Sequence, residues 1–445
     1  MERMTPNDAA ILGLEDHVSA AHGLTIGIFD GPEPDFDDLQ DRVEDRIRLV
    51  PRYRQRLLTV PFGLERPVWV DDPNFSIDFH VRHTALPDRR SRDPFYAFVS
   101  RCLSQRVDRG KPLWELWMVS GLPKKQWAIV SKVHYAIIDG VSGTDVLGLL
   151  ADDINVHEGI GTTMPAPIPG PRQLVTRAVT DLMFDPVESF TVARSIVSKP
   201  VRLARRISNG LVEQSDPNGL GRAVGPHRKW RSARVELDDL RSIREAHNCS
   251  TTDVILAAVA GGIRRYLIEN GKPLPTTIEV IVPLSVAAAT GGLSGHVTTL
   301  TARLPVAEED PAARLARIHE QTSSGAASSG ATAGRVLRRQ EDFVAPSILA
   351  QGVRSTMLET RDRRTADTVA INVPGPTDTI WILGYPMVEA YPVIPLPGRV
   401  QIAMAAMSLR DVVYFGITSD FDSTTGLRHA ATGVVDSIAE LLNGD

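Results

Sequence analysis

The chain has 445 residues, with 49 basic and 54 acidic side chains, a formal net charge of −5 and 42% hydrophobic residues. Its length predicts two or three domains, and its ordinary apolar fraction predicts cores of normal size. The basic side chains do not outnumber the acidic ones, so a nucleic-acid partner is not expected. The 2 cysteines are too few for a disulfide framework or a thiolate metal site. The composition excludes the collagen-like, disordered, disulfide-rich and integral-membrane classes.

Targeting signals are also missing from the sequence pattern. The opening residues, MERMTPNDAAILGLEDH, carry charges and contain no apolar run of the length that a signal peptide needs. The longest apolar run, Val254–Ile263, is about half of the roughly 20 residues that cross a bilayer. We therefore expect a cytoplasmic protein, with peripheral contact at the inner membrane face or at a lipid droplet left open.

Strand and helix signals alternate through the first 150 residues, which indicates an α/β arrangement. Apolar residues recur at helical spacing over 37–50 and predict a helix that Pro51 ends. The apolar segment 127–134 predicts a strand. It is followed by a predicted turn at 139–140 and a predicted helix over about 143–154.

A connecting segment is predicted next. Residues 159–172 are rich in Pro and Gly and have no helical or strand period, which is typical of a linker. Residues 199–234 hold nine basic and two acidic side chains. This stretch is either a solvated connection or a basic strip for an anionic cofactor or lipid head groups. We expect an N-terminal half over 1–160, a connecting segment over 161–230 and a C-terminal half over 231–445.

The second half repeats the mixture of helices and strands. Helices are predicted over 237–246 and to about Asn270, the second one capped by Thr251 or Thr252 with Asp253 in its first turn. Small polar residues over 323–334 predict a loop or a weakly formed helix. Strands are predicted over 277–282, 298–304, 368–373, 400–407 and 411–418.

His134 is the histidine with the most informative surroundings. Imidazole suits a general base near neutral pH, and His134 ends the predicted strand over 127–134. Asp139 follows five residues later, directly before Gly140, where it can orient neighbouring groups at a turn. The alternative is a strand-end histidine that is only packed and hydrogen bonded.

This segment also carries a family resemblance. Lys132–Gly140 resembles the HHxxxDG element of coenzyme A-dependent acyltransferases. Over almost the whole chain, the sequence resembles the bacterial wax ester synthase/diacylglycerol acyltransferase family, because seven further segments occur in that family's order. They are Leu14–Gly31, Trp69–Pro87, Asp108–Leu122, Thr252–Leu267, Val282–Val286, Asn372–Pro376 and Tyr414–Asp420.

The resemblance implies an α/β fold of two chloramphenicol-acetyltransferase-like halves with a tunnel between them. It implies that the second histidine of the element deprotonates an alcohol, which then attacks an acyl-CoA thioester. No covalent acyl-enzyme, cofactor or metal is implied. Asp139 is implied to hold the turn through an ion pair, and Gly140 to let the chain turn tightly. The implied products are triacylglycerol from diacylglycerol and wax ester from a long-chain alcohol.

The chain departs from the family pattern at the position of the base. Alignment on Asp139-Gly140 places His134 on the first histidine of the element and Tyr135 on the second. A phenol has a pKa near 10 and is a poor base at neutral pH. His134 cannot replace it within one regular strand, because neighbouring side chains face opposite ways. His296 is either a replacement base or a surface histidine.

Three other segments that resemble the family carry predictions of their own. Thr252 stands where the family has asparagine, which weakens any supporting role of that amide. The segment Pro112-Leu-Trp114 is predicted to pack in the core or line the tunnel, and Asn372–Pro376 to form a rigid turn between the halves.

We therefore predict an acyl-CoA-dependent O-acyltransferase with His134, Tyr135 and Asp139 as candidate catalytic residues. Its predicted partners are acyl-CoA, as substrate, and a lipid alcohol acceptor. Because Tyr135 occupies the base position, the alternative is a catalytically weak or silent relative that binds acyl chains or a partner protein. An acyltransferase with a non-lipid acceptor is the third hypothesis.

Overall fold

The structure is a computed structural model. It describes residues 2–61, 64–138, 146–153, 220, 224–286, 296–328, 352–358, 366–373 and 375–444, together with 169–170, 172–173 and 176. Most of the predicted linker, most of the basic segment before residue 220, and the predicted turn at 139–140 lie outside the described residues.

Strands and helices alternate along the chain. The strands are β1 (Glu2–Arg3), β2 (His22–Phe29), β3 (Gln55–Leu58), β4 (Val68–Asp71), β5 (Val81–Ala85), β6 (Trp114–Leu122), β7 (Gln126–His134), β8 (Arg228–Glu236), β9 (Ile278–Val286), β10 (His296–Leu304), β11 (Thr368–Val373), β12 (Trp381–Ile382), β13 (Tyr385–Val393), β14 (Ile402–Leu409) and β15 (Val412–Asp420). The helices are α1 (Pro6–Leu14), α2 (Phe36–Ile47), α3 (Ile77–His80), α4 (Asp93–Ser104), α5 (Val146–Leu149), α6 (Leu237–Ala246), α7 (Thr251–Glu269), α8 (Pro311–Ser328), α9 (352–358) and α10 (Arg428–Asn443).

Most of these strands form two six-stranded sheets. The N-terminal sheet has the order β12-β13-β2-β7-β6-β5, and the C-terminal sheet has the order β10-β9-β11-β14-β15-β8. A smaller sheet has the order β1-β4-β3. Parallel pairs join β5 to β6 and β11 to both β9 and β14, and the other pairs are antiparallel. The predicted α/β fold with two sheet-rich halves is confirmed.

The N-terminal sheet is completed by a strand from late in the chain. β13 pairs with β2 from Met387 opposite Phe29 to Val393 opposite Leu24. Two strands that follow β11 in sequence therefore belong to the sheet that otherwise comes from the first 134 residues. The division into 1–160, 161–230 and 231–445 stays a prediction. It did not include the contribution of β12 and β13 to the N-terminal sheet.

The C-terminal sheet is apolar on both faces because both faces are covered. Along β14, Ile402 and Met404 join a core formed with α7 and α10. Ala403 and Ala405, which point the other way, join the core of the N-terminal half. The two halves therefore share a continuous apolar seam.

Helix α4 covers the edge strand of the C-terminal sheet. Ser104 Oγ accepts the backbone N–H of Arg228 at 2.8 Å, and Ser100 Oγ accepts that of Trp230 at 3.0 Å. The serines lie one helical turn apart, and they satisfy donors that an edge strand would otherwise leave exposed.

Several predicted elements are confirmed, and one cap is corrected. The helix predicted over 37–50 is α2, the strand predicted over 127–134 is β7, and the helix predicted over 237–246 is α6. The cap of α7 is Ser250, one residue before the predicted threonines. Ser250 Oγ accepts the N–H of Asp253 at 3.1 Å, and the Asp253 carboxylate accepts the N–H of Ser250 at 2.8 Å. This reciprocal pair of hydrogen bonds satisfies two backbone N–H groups at the start of the helix.

The low-complexity segment also has a definite structure at its start. Residues 323–328, predicted as a loop or a weak helix, are the last part of α8. Of the helices in the described residues, none combines the length and apolar character needed to span a bilayer.

Candidate active site

The end of β7 is fixed by hydrogen bonds from two directions. The backbone N–H of His134 donates to the Leu113 carbonyl at 3.0 Å, and that of Tyr135 donates to the Ala21 carbonyl at 2.8 Å. β7 lies between β2 and β6 in the middle of the N-terminal sheet. The backbone at the family motif is therefore rigidly placed, and its two candidate side chains project from a fixed base.

Both ring nitrogens of His134 are directed at protein groups. The side chain is 1% exposed. Its Nδ1 accepts the backbone N–H of Ala136 at 3.0 Å, and its Nε2 lies 3.6 Å from the Glu15 carboxylate. Because Nδ1 accepts the N–H of Ala136, a ring proton is on Nε2 and faces Glu15. In this arrangement His134 has no lone pair directed at a substrate.

Glu15 is a functional candidate that the sequence reasoning missed. Burial alone would raise the pKa of this carboxyl, but His134 and the Arg109 guanidinium outweigh burial and lower the pKa to about 2. Arg109 Nε donates to the same carboxylate at 2.9 Å. Glu15 is therefore a buried anion at neutral pH, and it holds the His134 ring in one orientation.

Tyr135 occupies different surroundings from His134. Its phenol lies over Gly23 of β2, where a Cβ atom would overlap the Tyr135 hydroxyl and lie 2.9 Å from the Val393 carbonyl oxygen. β7 ends at His134, and the next three residues form a turn. The phenol consequently lies where β2 of the N-terminal half meets β13 from the C-terminal part of the chain.

Arg354 of α9 holds the turn that follows Tyr135. Its guanidinium donates to the carbonyl of Tyr135 at 3.1 Å and to the carbonyl of Ile138, and it pairs with the Asp8 carboxylate. Asp8 is 4% exposed and lies in α1. A cation from the C-terminal half therefore fixes the backbone of a turn in the N-terminal half. No pattern in the sequence indicated this pair.

A second set of buried polar groups lies behind His134. Lys132, which is 0% exposed, donates to the Gln105 carbonyl at 2.5 Å, and burial lowers its pKa. Burial also holds the pKa of His22 well below its ordinary range, so this ring is neutral at pH 7. His22 Nε2 lies 3.0 Å from the Leu103 carbonyl oxygen and donates to it. These contacts join β7 and β2 to the end of α4.

The remaining predicted site residues lie elsewhere. Asp139 and Gly140 are outside the described residues, so the role of Asp139 stays a prediction. His296 begins β10, and its side chain is also outside them. Asp253, beside the buried Thr252, accepts a hydrogen bond from Thr322 at 2.6 Å and contacts His319 Nδ1 at 2.9 Å, which joins α7 to α8.

The segment Pro112-Leu-Trp114 packs in the core. Trp114 is 0% exposed, stacks on His80 at a ring distance of 4.5 Å and donates its Nε1–H to the Tyr53 carbonyl at 2.8 Å. In the segment Asn372–Pro376, the N–H of Gly375 donates to Ser408 Oγ at 2.8 Å. The predicted packing role of the tryptophan is confirmed.

The described basic residues of the segment lie in β8, where two arginines form ion pairs across the seam between the halves and a third pairs within the C-terminal sheet. The arginines pair with carboxylates on other elements, as follows: Arg228 with Asp420 at 3.8 Å, Arg231 with Asp93 at 3.2 Å and Arg234 with Glu389 at 3.8 Å. Within the described ranges, no three His, Cys, Asp or Glu side chains come together so that they could hold a metal ion.

Two family models match the chain. The model described as the wax ester synthase/diacylglycerol acyltransferase catalytic domain matches residues 4–255, and the model described as the WS/DGAT C-terminal domain matches residues 294–442. A probable diacylglycerol O-acyltransferase of Mycobacterium tuberculosis is 30% identical over 453 aligned positions, which cover 99% of this chain and 96% of that protein. A putative diacylglycerol O-acyltransferase of Mycobacterium bovis matches with the same identity and coverage.

Solved structures show the same fold. The wax ester synthase/diacylglycerol acyltransferase from Marinobacter aquaeolei superposes with a TM-score of 0.67 at 24% identity, covering 99% of both chains. The first condensation domain of the calcium-dependent antibiotic synthetase superposes with a TM-score of 0.56 at 15% identity, covering 99% of this chain and 95% of that one. The family models and the relatives agree with the order of motifs in the sequence. The chain belongs to the wax ester synthase/diacylglycerol acyltransferase family.

Proposed function

We propose that this protein transfers an acyl group from acyl-CoA to the hydroxyl of a lipid acceptor. Diacylglycerol is the proposed main acceptor, which gives triacylglycerol, and a long-chain alcohol is the second, which gives wax ester. The acceptor oxygen attacks the thioester carbonyl carbon, a C–O bond forms and the C–S bond breaks. The proton of the acceptor hydroxyl ends on the sulfur of CoA. Family membership and the activities named for the mycobacterial relatives support this reaction class.

The observation that carries the proposal is the placement of Tyr135. Its side chain follows the last residue of β7, lies over Gly23, and is buried beside the carbonyl of Val393. Its own carbonyl is held by Arg354 from the other half. A side chain fixed by both halves at their junction suits a group that contacts the reacting atoms, because catalysis depends on positions held within fractions of an ångström.

We assign different roles to the motif residues. An ordinary phenol is protonated at neutral pH, so we propose that Tyr135 donates a hydrogen bond to the reacting hydroxyl oxygen of the lipid acceptor. As a base that removes the proton of that hydroxyl, we propose that it is inefficient. His134 is a positioning residue, since its Nδ1 accepts from Ala136 and its Nε2 faces Glu15. Asp139 is proposed to hold the turn through an ion pair.

Acyl transfer by variants of Tyr135 tests the proposal. Transfer from radiolabelled palmitoyl-CoA is measured with diacylglycerol and with hexadecanol as acceptors, for the wild type, Tyr135→His, Tyr135→Phe and the control Tyr385→Phe on β13. Histidine restores the family's base, and a positioned base contributes about 10²–10⁴ in rate, so Tyr135→His is expected to be faster by a factor in that range. Tyr135→Phe is expected to be slower than the wild type, and the control to match it.

The same measurement decides between this function and the alternative. A folded protein that makes no product with either acceptor, as wild type and as Tyr135→His, would contradict the proposal. If that protein still binds acyl-CoA, the result favours a silent relative that binds acyl chains. Product formed only with a polar alcohol or an amine would replace the lipid acceptor with a non-lipid one.

We also propose that the protein works in the cytoplasm and meets its acceptor by peripheral contact with a membrane or a lipid droplet. Diacylglycerol and long-chain alcohols are dissolved in lipid, so a protein that acylates them needs access to a lipid surface. Flotation with diacylglycerol-containing vesicles tests this contact. Protein that stays at the bottom of the gradient at low and at physiological salt would contradict it.

A further inference from the structure

Exposed apolar side chains gather at one corner of the C-terminal half. Among the described residues, six large apolar side chains are exposed, and three of them are Ile268 (51%), Leu274 (37%) and Phe421 (47%). Ile268 lies in the last turn of α7, Leu274 follows that helix, and Phe421 follows β15. Single exposed apolar groups are ordinary on a protein surface, whereas several at one place mark an interaction surface.

Hydrogen bonds hold these parts of the chain against each other. Thr425 Oγ1 donates to Asn270 Oδ1 at 3.1 Å, and Lys272 Nζ donates to the Ser423 carbonyl at 3.5 Å. Both bonds join the segment that carries the first two apolar side chains to the segment that carries the third. The three exposed side chains therefore share one surface, which we call the apolar corner.

Cations border the apolar corner. The Lys229 ammonium lies 4.5 Å from the ring centre of the exposed phenylalanine, and Arg428, the first residue of α10, is exposed. Neither cation has an ion-pair partner within the described ranges of the chain. With Lys272 they make three cations, against two exposed acids, Glu269 and Asp422. Apolar side chains with cations around them favour a surface that is both apolar and anionic.

The apolar corner also lies beside the seam between the halves. The N–H of Phe421 donates to the His227 carbonyl at 3.0 Å, and His227 directly precedes β8, the strand that α4 covers. The proposed acceptor is dissolved in lipid. A lipid surface at this corner would therefore meet the molecule close to the line along which its two halves join.

A lipid surface suits this corner better than a second protein does. A stable protein interface buries about 800 Å² on each partner and needs a matched shape. Three partly exposed side chains on a helix end and two loops supply only a fraction of that area. A bilayer needs no matched shape, since it takes each apolar side chain singly and leaves the neighbouring cations at the head groups.

We propose that the apolar corner docks this protein on an anionic lipid bilayer. Ile268, Leu274 and Phe421 enter the boundary between head groups and acyl chains, and Lys229 and Arg428 contact lipid phosphates. This face makes the peripheral lipid contact of the proposed function, on which the inference rests, and docking does not require acyl transfer.

Flotation of the full-length protein, without substrate, tests this docking face. Vesicles of phosphatidylcholine and phosphatidylglycerol in equal parts are compared with vesicles of phosphatidylcholine alone. We expect the wild type to float with the anionic vesicles. The variant Ile268→Ser/Leu274→Ser/Phe421→Ser should bind them at least about ten-fold less, because three side chains no longer gain from burial in lipid. Lys229→Gln/Arg428→Gln should weaken binding to the anionic vesicles and leave binding to the neutral ones unchanged.

The matched control is Trp381→Ser on β12, whose side chain has the same exposure as that of Phe421, 47%, but belongs to the N-terminal sheet. This control should float like the wild type, and an unchanged urea midpoint shows that each variant is folded. Equal flotation of the wild type and the triple variant would overturn the docking face and leave peripheral contact standing. An equal loss in the control would overturn the face as well.

The failure of docking and the failure of the reaction are separate results. A wild type that floats with neither kind of vesicle would overturn both the docking face and the peripheral contact. A wild type that floats, loses flotation in the triple variant and makes no acyl product would support the docking face and contradict the acyl-transfer reaction alone.

Discussion

The phenol of Tyr135 fills the space in which any residue larger than glycine at position 23 would carry its Cβ atom. Gly23 belongs to β2 and Tyr135 follows β7, so the two residues meet across neighbouring strands. The residue in the family's base position is thus matched in size to one particular glycine. The substitution of histidine by tyrosine at this position is accommodated by the structure.

Gly23→Ala is expected to destabilise the fold. The new methyl group meets the Tyr135 ring and the Val393 carbonyl, and overpacking of this kind costs about 1–3 kcal/mol in the free energy of unfolding. Gly13→Ala is the matched control, because nothing lies within 4 Å of a Cβ there and alanine favours the helix. Urea unfolding measures both variants. A loss of the same size in a Tyr135→Ala background would show that the tyrosine is not the cause.

Replacement of His134 by the two amides separates its two contacts. Asparagine can place an acceptor near the position of Nδ1 and keep the bond from Ala136, whereas glutamine reaches toward Glu15 and leaves that N–H unpaired. We expect His134→Gln to be less stable than His134→Asn by about 1 kcal/mol, the cost of one unmade buried hydrogen bond. Equal stability of the two variants would contradict the contribution of the Ala136 hydrogen bond, and the loss of all acyl transfer in both variants would assign the base to His134.

Glu15 makes the stability of the protein depend on pH in acid. Its pKa in the folded protein, about 2, is below the ordinary value of 4.5, so its contribution is fully present above pH 4.5 and is lost as the pH falls toward 2. The shift corresponds to about 3 kcal/mol at neutral pH. The difference in unfolding free energy between the wild type and Glu15→Gln should shrink over that range. A difference that is constant from pH 7 to pH 3 would contradict this prediction.

The ion pair of Arg92 and Glu389 ties β13 to α4. Two hydrogen bonds of 2.6 Å join the guanidinium to a carboxylate that is 5% exposed. Arg92→Met should cost about 3 kcal/mol in unfolding free energy, because the buried carboxylate loses its main partner. The double variant Arg92→Met/Glu389→Gln should recover part of that loss. Arg48→Met, which removes only exposed ion pairs on α2, should cost under about 1 kcal/mol.

Strands and helices with a strong hydrophobic period were predictable from the sequence. β13, the late strand that joins the N-terminal sheet, was not. β7 and α2 follow apolar periods that can be read from the sequence. β13 contains Pro386, Pro392 and the charged Glu389, each of which argues against a central strand. It forms because its partner is β2 and because Arg92 neutralises the buried carboxylate. Both causes lie far away in the sequence.

The candidate site, too, was only partly predictable from the sequence. Tyr135 at the base position could be identified by alignment with the motif, but the end of β7 at His134 and the turn that begins at Tyr135 could not. Glu15 and the pair of Arg354 and Asp8 could not be identified in this way. An ion pair between residues separated by more than 300 positions leaves no period in the sequence, and only the folded chain brings its partners together.

The late origin of β13 has a consequence during synthesis. β2 leaves the ribosome about 350 residues before its neighbour β13 is complete, which at 5–20 residues per second is an interval of about 20–70 s. Throughout that interval one edge of β2 has no partner, and an unpaired edge is a template for association with other chains. The nascent N-terminal half therefore presents this edge of β2 unpaired to β13 until residue 393 has emerged.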